Sequence, residues 1–154
     1  MSNVKYVVAV DPGGTTGLAM YSPSEGMSAT QGKPYEIIEW IGDSLDAIDI
    51  VYCERFTISQ QTLKKSREGS NVAIETIGII RWLCSRAGIR FVEQTPGEAK
   101  GFATNDKLRA MGWLKLPDHA RDAARHLLLA VVKERLIDPK ILLPQGTIPT
   151  KEGS

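Results

Sequence analysis

Two cysteines are present in the chain, Cys53 and Cys84, and they do not form a CxxC or any other metal-ligand spacing. That argues against a disulfide framework and a structural zinc site; cysteines inside apolar segments act as small hydrophobes, which suits a reducing compartment. Long apolar runs are also missing. The first one, residues 6–10, stops at Asp11, far short of the roughly 20 residues a membrane helix needs, and no signal-type cleavage pattern follows. A cytoplasmic protein with no membrane partner is therefore expected. Net charge is close to nil, with 19 basic residues against 18 acidic ones. Any nucleic-acid binding must then come from local basic clusters, because no global excess of positive charge exists to supply it. Neither an internal repeat nor a domain linker interrupts the chain.

The hydrophobic fraction is 42% over 154 residues, which suits one domain able to bury roughly 70% of its unfolded surface unaided. Residues 1–143 are read as that domain and the Pro/Gly/Thr/Lys-rich residues 144–154 as a disordered tail. Apolar runs at 7–10 and 18–21, joined by a Gly/Thr turn, predict a hairpin, and 35–41 is the candidate third strand. A short helix is expected over 43–48, and the continuous apolar run 50–53, ending on Glu54, predicts a strand buried on both faces. Residues 57–70 read as an exposed, mobile loop, and 71–87 as a long helix closed by Gly88 in a left-handed conformation. The last strand is 89–94, Thr95-Pro96-Gly97-Glu98 has a capping-box pattern, 107–112 is a short helix, and a final helix runs from Pro117-Asp118 to about Ile137. Hairpin strands followed by alternating strands and helices give an α/β fold, a mixed sheet of about five strands with helices on its faces.

Asp11 and Glu54 each end a predicted strand. If those strands are parallel neighbours, both carboxylates emerge at one edge of the sheet, where open α/β sheets place ligands. On the final helix His119 and Asp122 are three residues apart and share a face, whereas Asp118 fits an N-cap better, though direct ligation by it stays open. The predicted set is Asp11, Glu54, His119 and Asp122. Three carboxylates around one point raise one another's pKa unless a cation compensates them. Mg²⁺ suits such donors, and two ions about 3.5–4 Å apart can activate water and stabilise a leaving oxygen, so metal-assisted phosphodiester hydrolysis is the expected chemistry.

The run Val10-Asp11-Pro12-Gly13 followed by Thr and Gly, the apolar strand ending in Glu54, and Asp118-His119-Ala120-Arg121-Asp122-Ala123 resemble the RuvC family of Holliday-junction resolvases, with an RNase H-like fold, over about residues 5–132. The last-helix motif is the most specific part. The likeness is nearest to short phage-type forms, while Arg121 and Arg125 depart from a helix that is usually richer in Ala and Leu. The resemblance implies a homodimer in a bacterial or phage-infected cell. Such a dimer nicks two strands of branched DNA, four-way junctions and also flaps, with about two Mg²⁺ or Mn²⁺ ions at Asp11, Glu54, His119 and Asp122.

Lys64, Lys65 and Arg67, directly after the Glu54 strand, are candidate phosphate grips, with Lys100, Lys107 and Arg109 as further ones. Phe56 could stack on an unpaired base, although a core role fits it equally. His126 and Glu93 read as structural. Residues Ile74, Ile77, Ile79, Ile80 and Trp82 make the long helix more apolar than one buried face requires, which points to a dimer interface. Three other readings compete. The Gly/Thr turn also resembles the phosphate loop of sugar kinases and actin-like ATPases, but those need a second such domain, so no nucleotide cofactor is expected. The other two are a nuclease of the same fold acting on RNA or RNA/DNA hybrids, and a non-catalytic branched-DNA-binding module.

Overall fold

The computed structural model describes residues 4–56 and 67–142, with residues 67–70 and 142 by backbone alone. Its strands are β1 (Val7–Asp11), β2 (Thr16–Ser22), β3 (Gly26–Gly32), β4 (Ile50–Glu54) and β5 (Arg90–Gln94). They form one sheet in the order β3-β2-β1-β4-β5. The pairs β1/β2 and β2/β3 are antiparallel, whereas β1/β4 and β4/β5 are parallel. The helices are α1 (Pro34–Asp43), α2 (Arg67–Ala87), α3 (Pro96–Phe102), α4 (Asn105–Ala110) and α5 (Asp118–Lys133), with a 3₁₀ turn at Pro139–Leu142.

Strand alternation builds two cores from one sheet. Val8, Val10, Val51 and Cys53 face α1 and α2, packing on Ile37, Ile41, Ile77, Ile80 and Cys84. Val7, Ala9, Ile50 and Tyr52 face the other way onto Ala123, Leu127, Ala130 and Val131 of α5. With both faces covered, β1 and β4 tolerate only apolar side chains until they leave the layer, and they leave it at Asp11 and Glu54. Both cysteines are free and buried, as small hydrophobes.

Residues 35–41 form α1, not the third strand of the sequence reading. Pro34 sits at the first helical turn, where its fixed φ and missing N–H suit a helix start, and Glu36 Oε2 accepts from Lys33 N at 3.3 Å. Ile37 and Ile41, four apart, are the residues it buries. The third strand is instead β3, whose alternately exposed Gly26–Gly32 sequence has no apolar pattern to betray it. The helix expected over 43–48 is the end of α1 followed by a turn at 44–47. Residues 67–70, read as loop, already belong to α2; the rest of that stretch, including Lys64 and Lys65, lies outside the described residues, as does the tail 144–154. The short helix lies at Asn105–Ala110, and α5 ends at Lys133 rather than near Ile137. Gly88 does adopt the left-handed conformation, φ 70°, behind α2, and Thr95 with Glu98 makes the expected capping box of α3.

Candidate active site

Because β1, β4 and β5 are parallel, their carboxyl ends share one edge of the sheet, and these ends carry Asp11, Glu54 and Gln94. Asp11 is 6% exposed and hydrogen-bonded to Glu54. Burial, then the charge of Glu54 and of Asp122, pushes its pKa up to about 9, with Lys100 opposing. Burial also works against ionised Glu54, but the hydrogen bond and charge of His126, the hydrogen bond from Asp11 and the charge of Lys100 outweigh it and lower its pKa. The opposite shifts are those of two carboxyl groups that share a proton, with Asp11 the partner whose protonated form is favoured.

Helix α5 crosses over this edge, and its first turn lies directly on β2. A Cβ on Gly17 would come within 1.9 Å of the His119 carbonyl oxygen, so only glycine allows that approach. Among the described residues the positive-φ glycines are Gly26, Gly88 and Gly112, so Gly17 acts by giving room and not by a left-handed turn. The helix start is capped from β3. Gln31 Oε1 accepts from the backbone N–H of His119 at 3.1 Å and of Ala120 at 3.2 Å. Pro117 occupies the N-cap position assigned to Asp118, which instead opens the helix, exposed and paired with Arg121 at 2.8 Å. The partner the structure gives Asp118 is thus Arg121, and no contact with Asp11, Glu54 or Asp122 is seen among the described residues.

His119 Nδ1 stands 3.2 Å from Asp11 Oδ2, with the ring partly exposed. Asp122 is close enough to raise the pKa of Asp11, and its Oδ1 lies 3.8 Å from Arg125 Nε. The predicted four thus come together at one edge. Among the described residues, however, no three His, Cys, Asp or Glu side chains already stand together as a group able to hold a metal ion. The shared proton and the two imidazoles occupy the carboxylates instead.

His126, read from sequence as structural and too far along the helix, reaches the site. Its Nε2 is 2.9 Å from Glu54 Oε2 and its Nδ1 2.9 Å from Gln94 Oε1. The reason is the path of α5, which starts above β2 and β3 and passes over β1 to β4, so that a later turn meets Glu54. The signal was there: 119, 122 and 126 follow an i, i+3, i+7 stripe.

The proposed DNA contacts divide. Lys100 is exposed and, with Glu54, Asp122, Arg125 and His126, lines the cleft above the carboxylates. That cleft adjoins an open hollow of 470 Å³ bounded by Lys100, Thr104, Asn105, Asp106 and Arg125. Lys107 spends its ammonium on the Phe102 carbonyl at 2.7 Å, over the Phe102 ring. Arg109 is exposed and paired with Asp106 at 2.7 Å. Phe56 packs against the α1–α2 core. Arg67 opens α2. Thr16, a candidate phosphate ligand in the kinase-like reading, is buried and donates to the Gly13 carbonyl at 3.0 Å.

No protein-family model matches this chain, and no curated protein matches it in sequence. Solved structures do match. RuvC of Thermus thermophilus in complex with a Holliday junction substrate superposes with a TM-score of 0.61 at 18% identity, covering 86% of this chain and 96% of that one. A further Thermus thermophilus RuvC structure gives 0.57 at 18% identity, over 85% and 96%. With its mixed five-stranded sheet and helices on both faces, the chain has the RuvC fold of the RNase H-like class.

Proposed function

We propose that the chain is a metal-dependent, structure-specific DNA endonuclease that resolves four-way junctions, and accepts flaps, by paired phosphodiester hydrolysis as a cytoplasmic homodimer. The observation that carries this reading is the pair of buried Asp11 and half-buried Glu54 at the ends of two parallel strands, with Asp122 and His119 brought over it by α5. The Thermus thermophilus structure with a Holliday junction bound supports the substrate class.

The donor set fits Mg²⁺ or Mn²⁺: burial, and then the charge of Glu54 and Asp122, raise the pKa of Asp11 to about 9, and a divalent cation would supply the positive charge that favours its ionised form. Asp11, Glu54 and Asp122, with His119, would hold the ions. Bound there, they would supply the charge that activates water and stabilises the leaving oxygen. Asp11 would have to lose its proton to serve as a donor, and His119 Nδ1, 3.2 Å from Asp11 Oδ2, is placed to take it up or pass it on. Lys100 offers positive charge to a phosphate in the cleft. Ile74, Ile79 and Trp82 lie exposed on α2, whereas Ile77 and Ile80 are buried against the sheet. The exposed three form the proposed dimer face, and two-fold symmetry matches a substrate cut on two strands.

One observation favours a second reading, a non-catalytic branched-DNA-binding module: the described residues present no ready three-donor group. A single assay separates the two. The protein is incubated with a synthetic four-way junction, a flap, a linear duplex and an RNA/DNA hybrid, in Mg²⁺, Mn²⁺ or EDTA. Paired nicks confined to branched DNA, dependent on metal and lost in Asp11→Asn and Asp122→Asn while binding persists, are expected. Binding without cleavage in any metal would sink the nuclease in favour of the module. A monomer mass by light scattering at micromolar concentration would count against the dimer.

A further inference from the structure

Glu54, His126 and Gln94 form a polar line through a layer that is otherwise apolar. Glu54 and Gln94 are direct partners on the parallel strands β4 and β5, and His126 descends from α5 to touch both. His126 is 1% exposed and Gln94 fully buried, and the residues flanking His126 on α5, Ala123, Leu127, Leu128 and Ala130, are buried as well. A hydrophobe at either position would avoid the desolvation cost. That cost is not fully recovered, since Gln94 Nε2 is buried without a hydrogen-bond partner. The line ends on one oxygen of a site carboxylate.

We propose that His126, its ring fixed by Gln94, is a positioning residue that sets the orientation of the Glu54 carboxylate for divalent-ion binding. The inference rests on the metal-site reading above. With Nδ1 tied to Gln94, ring rotation is blocked and Nε2 is aimed at Glu54 Oε2, so the carboxylate loses its own rotational freedom. An ion then meets a preset donor instead of one it must first order. His126 does not touch the reacting phosphate in this role; it acts through Glu54.

The test compares the full-length protein with His126→Leu, His126→Gln and His126→Asn. Mn²⁺ affinity is titrated by electron paramagnetic resonance without DNA, alongside melting temperature and junction nicking. Leucine removes the donor, glutamine places an amide nitrogen near the position of Nε2, and asparagine is too short to reach Glu54. His126→Leu is expected to weaken Mn²⁺ binding by about 10- to 100-fold, and His126→Gln to recover most of that loss. Wild-type Mn²⁺ affinity in a folded His126→Leu protein, or equal damage in the glutamine and leucine variants, would overturn the proposal. If His126→Leu fails to fold, the comparison of glutamine with asparagine decides: tighter binding by the glutamine variant supports positioning, and equal binding refutes it. Histidine-sensitive Mn²⁺ binding in a protein that nicks nothing would leave this inference standing and remove the nuclease. Nicking by wild type with no sensitivity to His126 would do the reverse, and no Mn²⁺ binding by wild type would remove both.

Discussion

Helix α5 meets a buried carboxylate near each end, a lone one at one end and one with two acidic neighbours at the other, and the two are handled in opposite ways. At its C-terminal end Glu134, 8% exposed, accepts from the Tyr52 hydroxyl at 2.7 Å and pairs with the Arg90 guanidinium. One acid meets one base and one hydroxyl, and Tyr52, through burial and then its bond to Glu134, has its pKa raised to about 12 and stays a donor. Toward its N-terminal end Asp11, Glu54 and Asp122 converge; Arg125 lies 3.8 Å from Asp122, while Asp11 and Glu54 have exposed Lys100 and two imidazoles nearby, and Asp11 still has its pKa raised to about 9. Complete compensation is what a cluster needs to stabilise a fold; incomplete compensation costs stability and leaves room for a cation. The contrast assigns structure to one end and chemistry to the other.

The sharpest break between the ends is Asp11→Asn. Junction nicking is expected to fall by about 10³-fold or more, given the several kcal/mol that metal-assisted charge stabilisation supplies. Stability at pH 7, measured without metal by denaturant unfolding, should rise by about 2 kcal/mol, since Asn neither ionises nor has to hold a proton against its solution preference. The reverse pattern is expected at the other end. Glu134→Leu orphans the buried Tyr52 hydroxyl and should cost about 2 kcal/mol, a figure held down because Arg90 is largely solvent-exposed. Nicking per folded molecule should not change. A Glu134 variant that loses activity while folded would dissolve the division.

The pH dependence follows from the same imbalance. Asp11 has a folded pKa of about 9, above its unfolded value of about 3.9. The folded state thus binds a proton that the unfolded state releases, so this group's contribution is full below about pH 4 and is lost as pH rises toward about 9. Glu54, lowered, works in the opposite sense and its contribution is lost as pH falls through its folded pKa. Without metal, the melting temperature of wild type should therefore fall by several degrees relative to Asp11→Asn between pH 5 and pH 9, and Mg²⁺ should restore it at pH 9. A gap that does not vary with pH would mean that the carboxylates are already compensated.

Much of the candidate site was legible because short-range chemistry writes it. An apolar run ending on an acid predicts a carboxylate at a sheet edge, and this holds for Asp11 and Glu54 alike. His119 and Asp122 needed only helical spacing. What was not legible depends on partners distant in sequence. The Tyr35–Ile41 pattern alternates well enough to imitate a strand, and Pro34 at the first turn decided otherwise. The true β3 is an edge strand with almost no apolar residues, so nothing in it signalled a ladder. His126 was discounted by distance along the helix, because the angle at which α5 crosses the sheet is set by packing that the sequence does not display.

Gln31 is the residue that this error in β3 hid, and it gives the smallest expected effect. Its carbonyl satisfies two of the N-terminal amides of α5, those of His119 and Ala120, doing from a separate strand what Asp118 was expected to do locally. Gln31→Ala should cost about 1 kcal/mol, the usual value of a lost N-cap. The loss falls on the turn that holds His119 against Asp11, so nicking should drop several-fold with little change in junction binding, and the effect of Glu134→Leu should add to it, because the two sites share no partner. Gln31→Glu separates capping from bulk, since a carboxylate accepts from the same two amides and suits the positive end of the helix. A glutamate variant that keeps wild-type stability and nicking, beside an alanine variant that loses both, would show that a β3 side chain sets the catalytic turn. Equal behaviour of the two would leave Gly17 and the packing beneath α5 as the sole determinants of where that turn sits.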